Sequence, residues 1–181
     1  MSTIEDRLLD TAESLFYAKG VQGVGMAELR EQAQVPLKRI YQLHSGKDEI
    51  VLTYLRRLHE RWHASLAAYV EPIEDPRERV LAVFDWLHEW FATPGFRGDA
   101  WVNAFGELGG TTPAIAEAAK RHKQDFDRQL SRLVRGAGGS RATARAIFLL
   151  AEGAIVTAAI DGSPKAAKDA RRAAELLLDN G

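Results

Sequence analysis

The sequence has 181 residues, a formal net charge of −1 and an apolar share of 46%. That length fits one domain, or a small module on a larger one, and the composition is typical of a globular protein. Because the chain contains no cysteine, disulfide frameworks, thiolate metal sites and cysteine nucleophiles are excluded. The near-zero net charge argues against a protein that coats nucleic acid or an anionic membrane.

Apolar spacing predicts about nine helices and no strand. The first of these helices begins at Ile4. The others cover, in chain order, about 26–33, 36–43, 46–70, 76–92, 99–109, 113–135, 140–160 and 164–179. Ser2 with Glu5, Ser45 with Asp48, and Asp75 with Glu78 have the spacing of a capping box. The fold class is therefore all-α. Since the first three helices are short, we expect a small N-terminal module at 1–47 on a larger helical bundle at 48–181.

Residues 25–50 have the layout of a helix-turn-helix, whose second helix enters the major groove of DNA. A tight turn at Gln34 and Val35 separates a short helix from one that opens at Pro36. No acidic residue occurs from Gln32 to Lys47, so nothing in this segment would repel phosphates. A three-helix cap with a solvated basic face fits the same pattern, so both interpretations stay open on the residues alone.

The stretch 3–51 resembles the DNA-binding domain of the TetR family of transcriptional regulators. The family's motifs appear here as Leu15-Phe16, Gly20, Ala33-Gln34-Val35-Pro36, Ile40-Tyr41 and Gly46-Lys47-Asp48-Glu49-Ile50. Their spacing from 33 to 50 matches without a gap. The resemblance implies a dimeric, ligand-responsive regulator that binds a palindromic DNA operator. A repressor is expected rather than an activator.

The resemblance also implies which residues meet DNA. The side chains expected to face the major groove are Leu37, Lys38, Arg39, Tyr41 and Gln42. Lys47 would bind a phosphate, whereas Gly25, which stands where the family usually has serine or threonine, could do so only through its backbone. Gln34 replaces the usual turn glycine and Leu43 a common histidine. His44 replaces a common aromatic core residue, so a buried, hydrogen-bonded histidine is favoured over a DNA contact.

A competing motif lies on the long fourth helix, where His59-Glu60-Arg61-Trp62-His63 matches the zinc-protease pattern H-E-x-x-H. Histidines one turn apart share a helix face, and the glutamate could serve as a base. Because no further histidine lies nearby in the sequence, we expect no metal site, no cofactor and no enzymatic activity. The alternative is a metal- or ligand-binding helical protein, or a zinc hydrolase, without a DNA function.

A ligand pocket is expected among aromatic residues of the bundle, although an aromatic stripe is more often plain core. The residues expected to line it are Trp62, Phe84, Phe91, Trp101, Phe105, His122 and Phe126. His122 lies on an apolar stripe, where it is either a satisfied core histidine or the polar group of such a pocket. The ligand would be small and apolar or aromatic.

Five arginines between 128 and 151 form a second acid-free basic run. They are Arg128, Arg132, Arg135, Arg141 and Arg145. Arginines near the end of a helix favour its dipole, and others would lie on a solvated face. We therefore favour a structural role over a second DNA contact.

Residues 142–160 are apolar nearly all round and rich in small residues, as are parts of 164–179. A monomer cannot easily cover all these faces, so the two helices predict a homodimer whose two-fold symmetry matches paired DNA half-sites. The N-terminus lacks the features of a secretory signal, and the longest apolar stretch, 146–160, is too short for a membrane span. We expect a cytoplasmic protein without a membrane partner.

Residues 34–63 carry a net charge of +3, and the rest of the chain carries −4. The near-neutral total therefore conceals a basic segment on an acidic body. Such a segment fits docking on DNA through one small surface rather than indiscriminate coating.

Overall fold

The computed structural model describes residues 3–180. Within that range the chain forms nine α-helices and no strand, which confirms the all-α class. The helices are α1 (Ile4–Lys19), α2 (Met26–Ala33), α3 (Leu37–Leu43), α4 (Lys47–Val70), α5 (Pro76–Phe91), α6 (Ala100–Leu108), α7 (Pro113–Gly136), α8 (Arg141–Asp161) and α9 (Lys165–Asp179). Their bounds lie close to those that apolar spacing predicts.

The first helix begins with a capping box built on Thr3. The Asp6 carboxylate accepts the backbone N–H of Thr3 at 2.9 Å, and the Thr3 hydroxyl oxygen accepts the backbone N–H of Asp6 at 3.0 Å. The box expected from Ser2 and Glu5 involves a residue outside the described range, and the structure has the neighbouring pair instead. Two amides at the start of α1 are thereby satisfied.

Of the two later helix starts with such a pattern, α4 differs from its prediction and α5 has its predicted cap. At α4 the backbone N–H of Ser45 donates to Glu49 at 2.5 Å, rather than to Asp48 one residue earlier. This hydrogen bond lowers the pKa of the Glu49 carboxyl. At α5 the Asp75 carboxylate accepts the backbone N–H of Glu78 at 3.1 Å, as the predicted cap requires.

The chain divides into two compact units. The first comprises residues through Glu60 together with Ala100–Arg121, and the second comprises Arg61–Asp99 together with residues from His122 onward. The division falls inside α4 and α7, both of which are continuous helices. The boundary expected at residue 47 is the start of α4, and as a functional boundary it stays a prediction.

The core of the first unit joins the three short helices to α4. Its large apolar side chains are all less than 5% exposed: Leu8, Phe16, Leu29, Ile40 and Ile50. Burial of one such side chain contributes about 1.5–3 kcal/mol. Ile40 is the inward anchor of α3, so this core fixes which face of α3 points outward.

In the second unit, α8 is long and apolar enough to cross a membrane by length and composition alone. Its inner face is nevertheless occupied by protein, since Ile147, Ala151 and Ile155 are buried. Glu152, in the middle of the helix, pairs with Lys123 of α7 at 2.7 Å. These contacts are those of a core helix, although the helix is longer than the 15-residue apolar stretch within it.

Candidate nucleic-acid interface

A three-residue turn connects α2 to α3. Gln34 adopts the left-handed conformation at φ 52° and ψ 41°, which ends α2 in the manner more usual for glycine. The N–H of the next residue, Val35, donates to the carbonyl of Arg30 at 3.2 Å, and the Val35 side chain is buried. The carbonyl of Pro36 then accepts the N–H of Ile40 at 3.1 Å and opens α3. The turn therefore holds the two helices in a fixed arrangement despite lacking a glycine.

The outward faces of α3 carry the residues predicted to meet the major groove. All five are exposed: Leu37, Lys38, Arg39, Tyr41 and Gln42. Leu37 is 39% exposed and Tyr41 is 52% exposed, whereas Ile40 between them is fully buried. Arg39 donates to the Gln42 side-chain oxygen at 3.1 Å, which orders two neighbouring polar groups on this surface.

Lys47 and Gly25 meet at one corner of the module. The Lys47 ammonium donates to the carbonyls of Val21 at 3.0 Å and Val24 at 3.1 Å. An ammonium has three N–H donors, so one remains for a phosphate. Val24 precedes Gly25, which begins α2 without any side-chain cap. Open backbone amides and a fixed positive charge therefore lie together, the combination that binds phosphate at helix starts.

Gly25→Ser is expected to strengthen DNA binding severalfold and to stabilise the fold by a few tenths of a kcal/mol. The backbone at Gly25 is extended, at φ −91° and ψ 162°, and an added Cβ would meet nothing within 4 Å among the described residues. A serine hydroxyl can cap α2 and donate to a phosphate at the same corner. Binding to labelled operator DNA and thermal unfolding measure the two effects, and weaker DNA binding by the variant would contradict the assignment of this corner.

His44 ends α3 and is 4% exposed, so the expected burial is confirmed. The expected hydrogen bond is wrong, because neither ring nitrogen has a hydrogen-bond partner among the described residues. The nearest charged group is the Glu5 carboxylate of α1, 3.5 Å from Nε2. Packing against the core, rather than a hydrogen bond, therefore accounts for the position of this histidine.

Glu107 of α6 holds the loop that precedes α2. Its carboxylate accepts the backbone N–H groups of Val21 at 3.0 Å and Gln22 at 2.7 Å, and the Gln22 side chain donates back to the Glu107 carbonyl at 2.6 Å. Sequence patterns did not identify this residue, although it is the one acid in an otherwise uncharged helix. The loop that receives Lys47 is thus tied to α6 as well.

The residues expected to line a ligand pocket fall into both units. In the second unit Trp62 contacts His122 and Phe126 edge-on, with ring centroids 5.0 and 4.9 Å apart. Phe84 is fully buried, and Phe91 packs on Phe96 with centroids 5.0 Å apart. Trp62, His122 and Phe126 therefore pack against one another, as residues of an aromatic core do.

In the first unit Trp101 lines an open groove of about 330 Å³ beside Leu52 and Leu55. The basic side chains Arg56 and Arg121 border the same groove. Phe105 is 52% exposed on α6, so the structure does not enclose it as the pocket prediction requires. The groove is the part of the predicted pocket that has room for a ligand in this unit.

The arginines of the second basic run lie in the second unit. Four of them border a groove of about 540 Å³, namely Arg128, Arg132, Arg135 and Arg141. Acids offset part of this charge: Arg128 pairs with Asp125, and Arg145 pairs with Asp127 at 3.3 Å. These pairs agree with a structural role for the run.

Large apolar side chains are exposed on the two C-terminal helices. Leu149, Val156 and Ile160 of α8 are 54%, 46% and 79% exposed, and Leu176 of α9 is 64% exposed. The three α8 positions are seven and four residues apart, so they share one helix face. That face remains uncovered within a single chain.

An exposed, acid-free helix set by a tight turn on two supporting helices defines a helix-turn-helix protein. Solved structures share the whole fold. A TetR-family transcriptional regulator from Streptomyces coelicolor is 28% identical with a TM-score of 0.89, and the match covers 98% of this chain and 95% of that one. A TetR-type regulator from Streptomyces avermitilis is also 28% identical, with a TM-score of 0.77 and coverage of 96% and 98%.

Among curated proteins the chain is similar to the HTH-type transcriptional repressor NemR of Escherichia coli, with 29% identity over 91 residues. That alignment covers 50% of this chain and 46% of NemR, about half the length of each. No family profile matches the sequence. Over nearly its whole length the chain is therefore similar to TetR-family transcriptional regulators, and it shares their fold.

Proposed function

We propose that the protein is a ligand-responsive transcriptional repressor that binds an operator as a homodimer through α3. The observation that carries this proposal is the outward face of α3, where Lys38, Arg39 and Gln42 are exposed around the buried anchor Ile40. Basic and amide side chains on a protruding helix match the hydrogen-bonding edges of bases in the major groove. The TetR-family relatives are named as transcriptional regulators, and NemR as a repressor.

The corner formed by Gly25 and Lys47 is the phosphate-binding part of this interface. It anchors the module on the DNA backbone, while α3 reads bases beside it. Because Lys47 is already fixed by the carbonyls of Val21 and Val24, little side-chain freedom is lost when it meets a phosphate.

The apolar side chains that are exposed on α8 and α9 support a homodimer. Pairing with a second copy would bury Leu149, Val156, Ile160 and Leu176, each of which is at least 46% exposed in one chain. A two-fold dimer presents two copies of α3 to paired half-sites about one DNA turn apart. The whole assembly acts in the cytoplasm without catalysing a reaction.

Response to a ligand requires that two arrangements of the protein differ in affinity for it. The groove beside Trp101 is the candidate binding site, for a small apolar or aromatic molecule. Glu107, on the same helix α6 as Trp101, holds the backbone of Val21 and Gln22 just before α2. A shift of α6 would therefore alter the loop that supports Gly25 and Lys47, and so change DNA affinity.

Footprinting on the DNA that flanks the protein's own gene tests the proposal and supplies the operator. A protected palindrome is expected, with affinity that falls by about 10³–10⁵ between 50 and 200 mM salt if six to ten phosphates are contacted. Absence of a protected site, or binding that is insensitive to salt and sequence, would reject a specific repressor. The helical ligand- or metal-binding protein without DNA function would then remain.

A further inference from the structure

Two histidines lie together in the second unit, one on α4 and one on α7. The ring centroids of His63 and His122 are 5.1 Å apart, and their ligand nitrogens lie within 4.8 Å of each other. The sequence-based expectation that no further histidine approaches His63 is therefore wrong. The two positions are 59 residues apart in the chain, so only the fold could reveal the pair.

A hydrogen bond with Gln129 favours His63 as a metal ligand. Its Nδ1 lies 2.8 Å from the side-chain oxygen of Gln129. An amide oxygen only accepts, so Nδ1 carries the hydrogen and the lone pair is on Nε2. A hydrogen bond that fixes the tautomer of the non-ligating nitrogen is the usual outer support of metal-binding histidines.

The charge around His122 also favours a cation. This side chain is 1% exposed, and the Asp99 carboxylate lies 3.9 Å from its Nε2. Asp99 and Glu152 both pair with Lys123, at 2.5 and 2.7 Å, so two carboxylates face one ammonium. The Asp99 carboxylate beside this buried imidazole lowers the cost of placing a positive ion there.

We propose that His63 and His122 form a binding site for a divalent transition metal. Neutral imidazoles select Zn²⁺, Ni²⁺ and Cu²⁺ over Mg²⁺ or Ca²⁺, which prefer oxygen ligands. Glu60 of the H-E-x-x-H motif is exposed, so the site binds a metal without the placed base that a hydrolase needs.

Titration of the free protein with Zn²⁺, followed by calorimetry and by equilibrium dialysis, tests the site without DNA. One Zn²⁺ per chain is expected. The single variants His63→Gln and His122→Gln should each weaken binding by more than about 100-fold. Gln129→Leu should weaken it by about 10–100-fold, the usual effect of losing an outer partner. Because no operator is present, failure here leaves the proposed repressor function untouched.

His88→Gln is the matched control, since His88 is half-buried on α5 and is not part of the group. It should bind Zn²⁺ like the unaltered protein.

Trp62 supplies a second readout, because its ring lies 4.9 Å from His63 and 5.0 Å from His122. Cu²⁺ should quench the fluorescence of Trp62 in the unaltered protein and in His88→Gln only. If burial makes His122→Gln unfold, as circular dichroism would reveal, His63→Gln and Gln129→Leu carry the test. Unchanged binding in those variants, or equal loss in His88→Gln, would overturn the proposal.

Discussion

Replacing both Lys38 and Arg39 by alanine is expected to abolish specific operator binding while leaving the fold intact. Both side chains are exposed on α3 and contribute nothing to the buried core around Ile40. A contact between such a side chain and a base or phosphate is worth about 1–3 kcal/mol. A dimer would lose four contacts, so even at about 1 kcal/mol each the affinity should fall by about 1,000-fold.

The matched control removes two exposed arginines from the groove on the second unit. Arg128→Ala combined with Arg132→Ala changes the net charge of the chain by the same amount as the α3 variant. Fluorescence anisotropy with a labelled operator at two salt concentrations compares the three proteins, and circular dichroism verifies their helical content. Unchanged binding by the α3 variant would remove α3 from the interface. An equal loss in the control would mean that net charge, rather than α3, governs binding.

The architecture was predictable from the sequence because apolar residues that share one face of a helix recur at short, regular spacing along the chain. Leu8 and Phe16 on α1, and Leu29 on α2, recur at helical spacing, and all three are buried in the core. The outward face of α3 was predicted by the resemblance to the TetR family, and the residues assigned to it are exposed. Periodicity and charge are properties of neighbouring residues, so they can be recognised without knowledge of the tertiary fold.

Contacts between distant segments were not predictable in the same way. Glu107 binds the backbone near Val21, 86 residues earlier, and backbone amides leave no trace in side-chain patterns. Lys47 was expected to serve a phosphate, yet two of its N–H groups hold carbonyls.

The tight turn at Gln34 and Val35 was predicted, and Gln34 adopts the left-handed conformation there although glycine is the usual residue for it. At this position the buried side chain of Val35 and the hydrogen bond to the Arg30 carbonyl hold the turn instead. The packing and the hydrogen bond of Val35 therefore stabilise a turn conformation that Gln34 adopts less readily than glycine would.

A substitution on the exposed apolar face of α8 should also have a large effect, in this case on the oligomeric state. In the proposed homodimer, Val156→Asp should cause dissociation to monomers at micromolar concentration, as measured by light scattering. Val156 is 46% exposed and shares its face with Leu149 and Ile160. In a two-fold interface the change occurs twice near one axis. Two unpaired carboxylates would then be buried, at a cost of several kcal/mol each.

Operator affinity should fall together with the dimer, because a monomer contacts only one half-site. Val102→Asp on α6 is the control, since it places the same charge at a valine that is 40% exposed outside α8 and α9. That variant should remain dimeric. If Val156→Asp stays dimeric, α8 is not the interface. If it becomes monomeric but binds the operator undiminished, the two half-sites do not act together, and the uncovered face of α8 would have no part in DNA recognition.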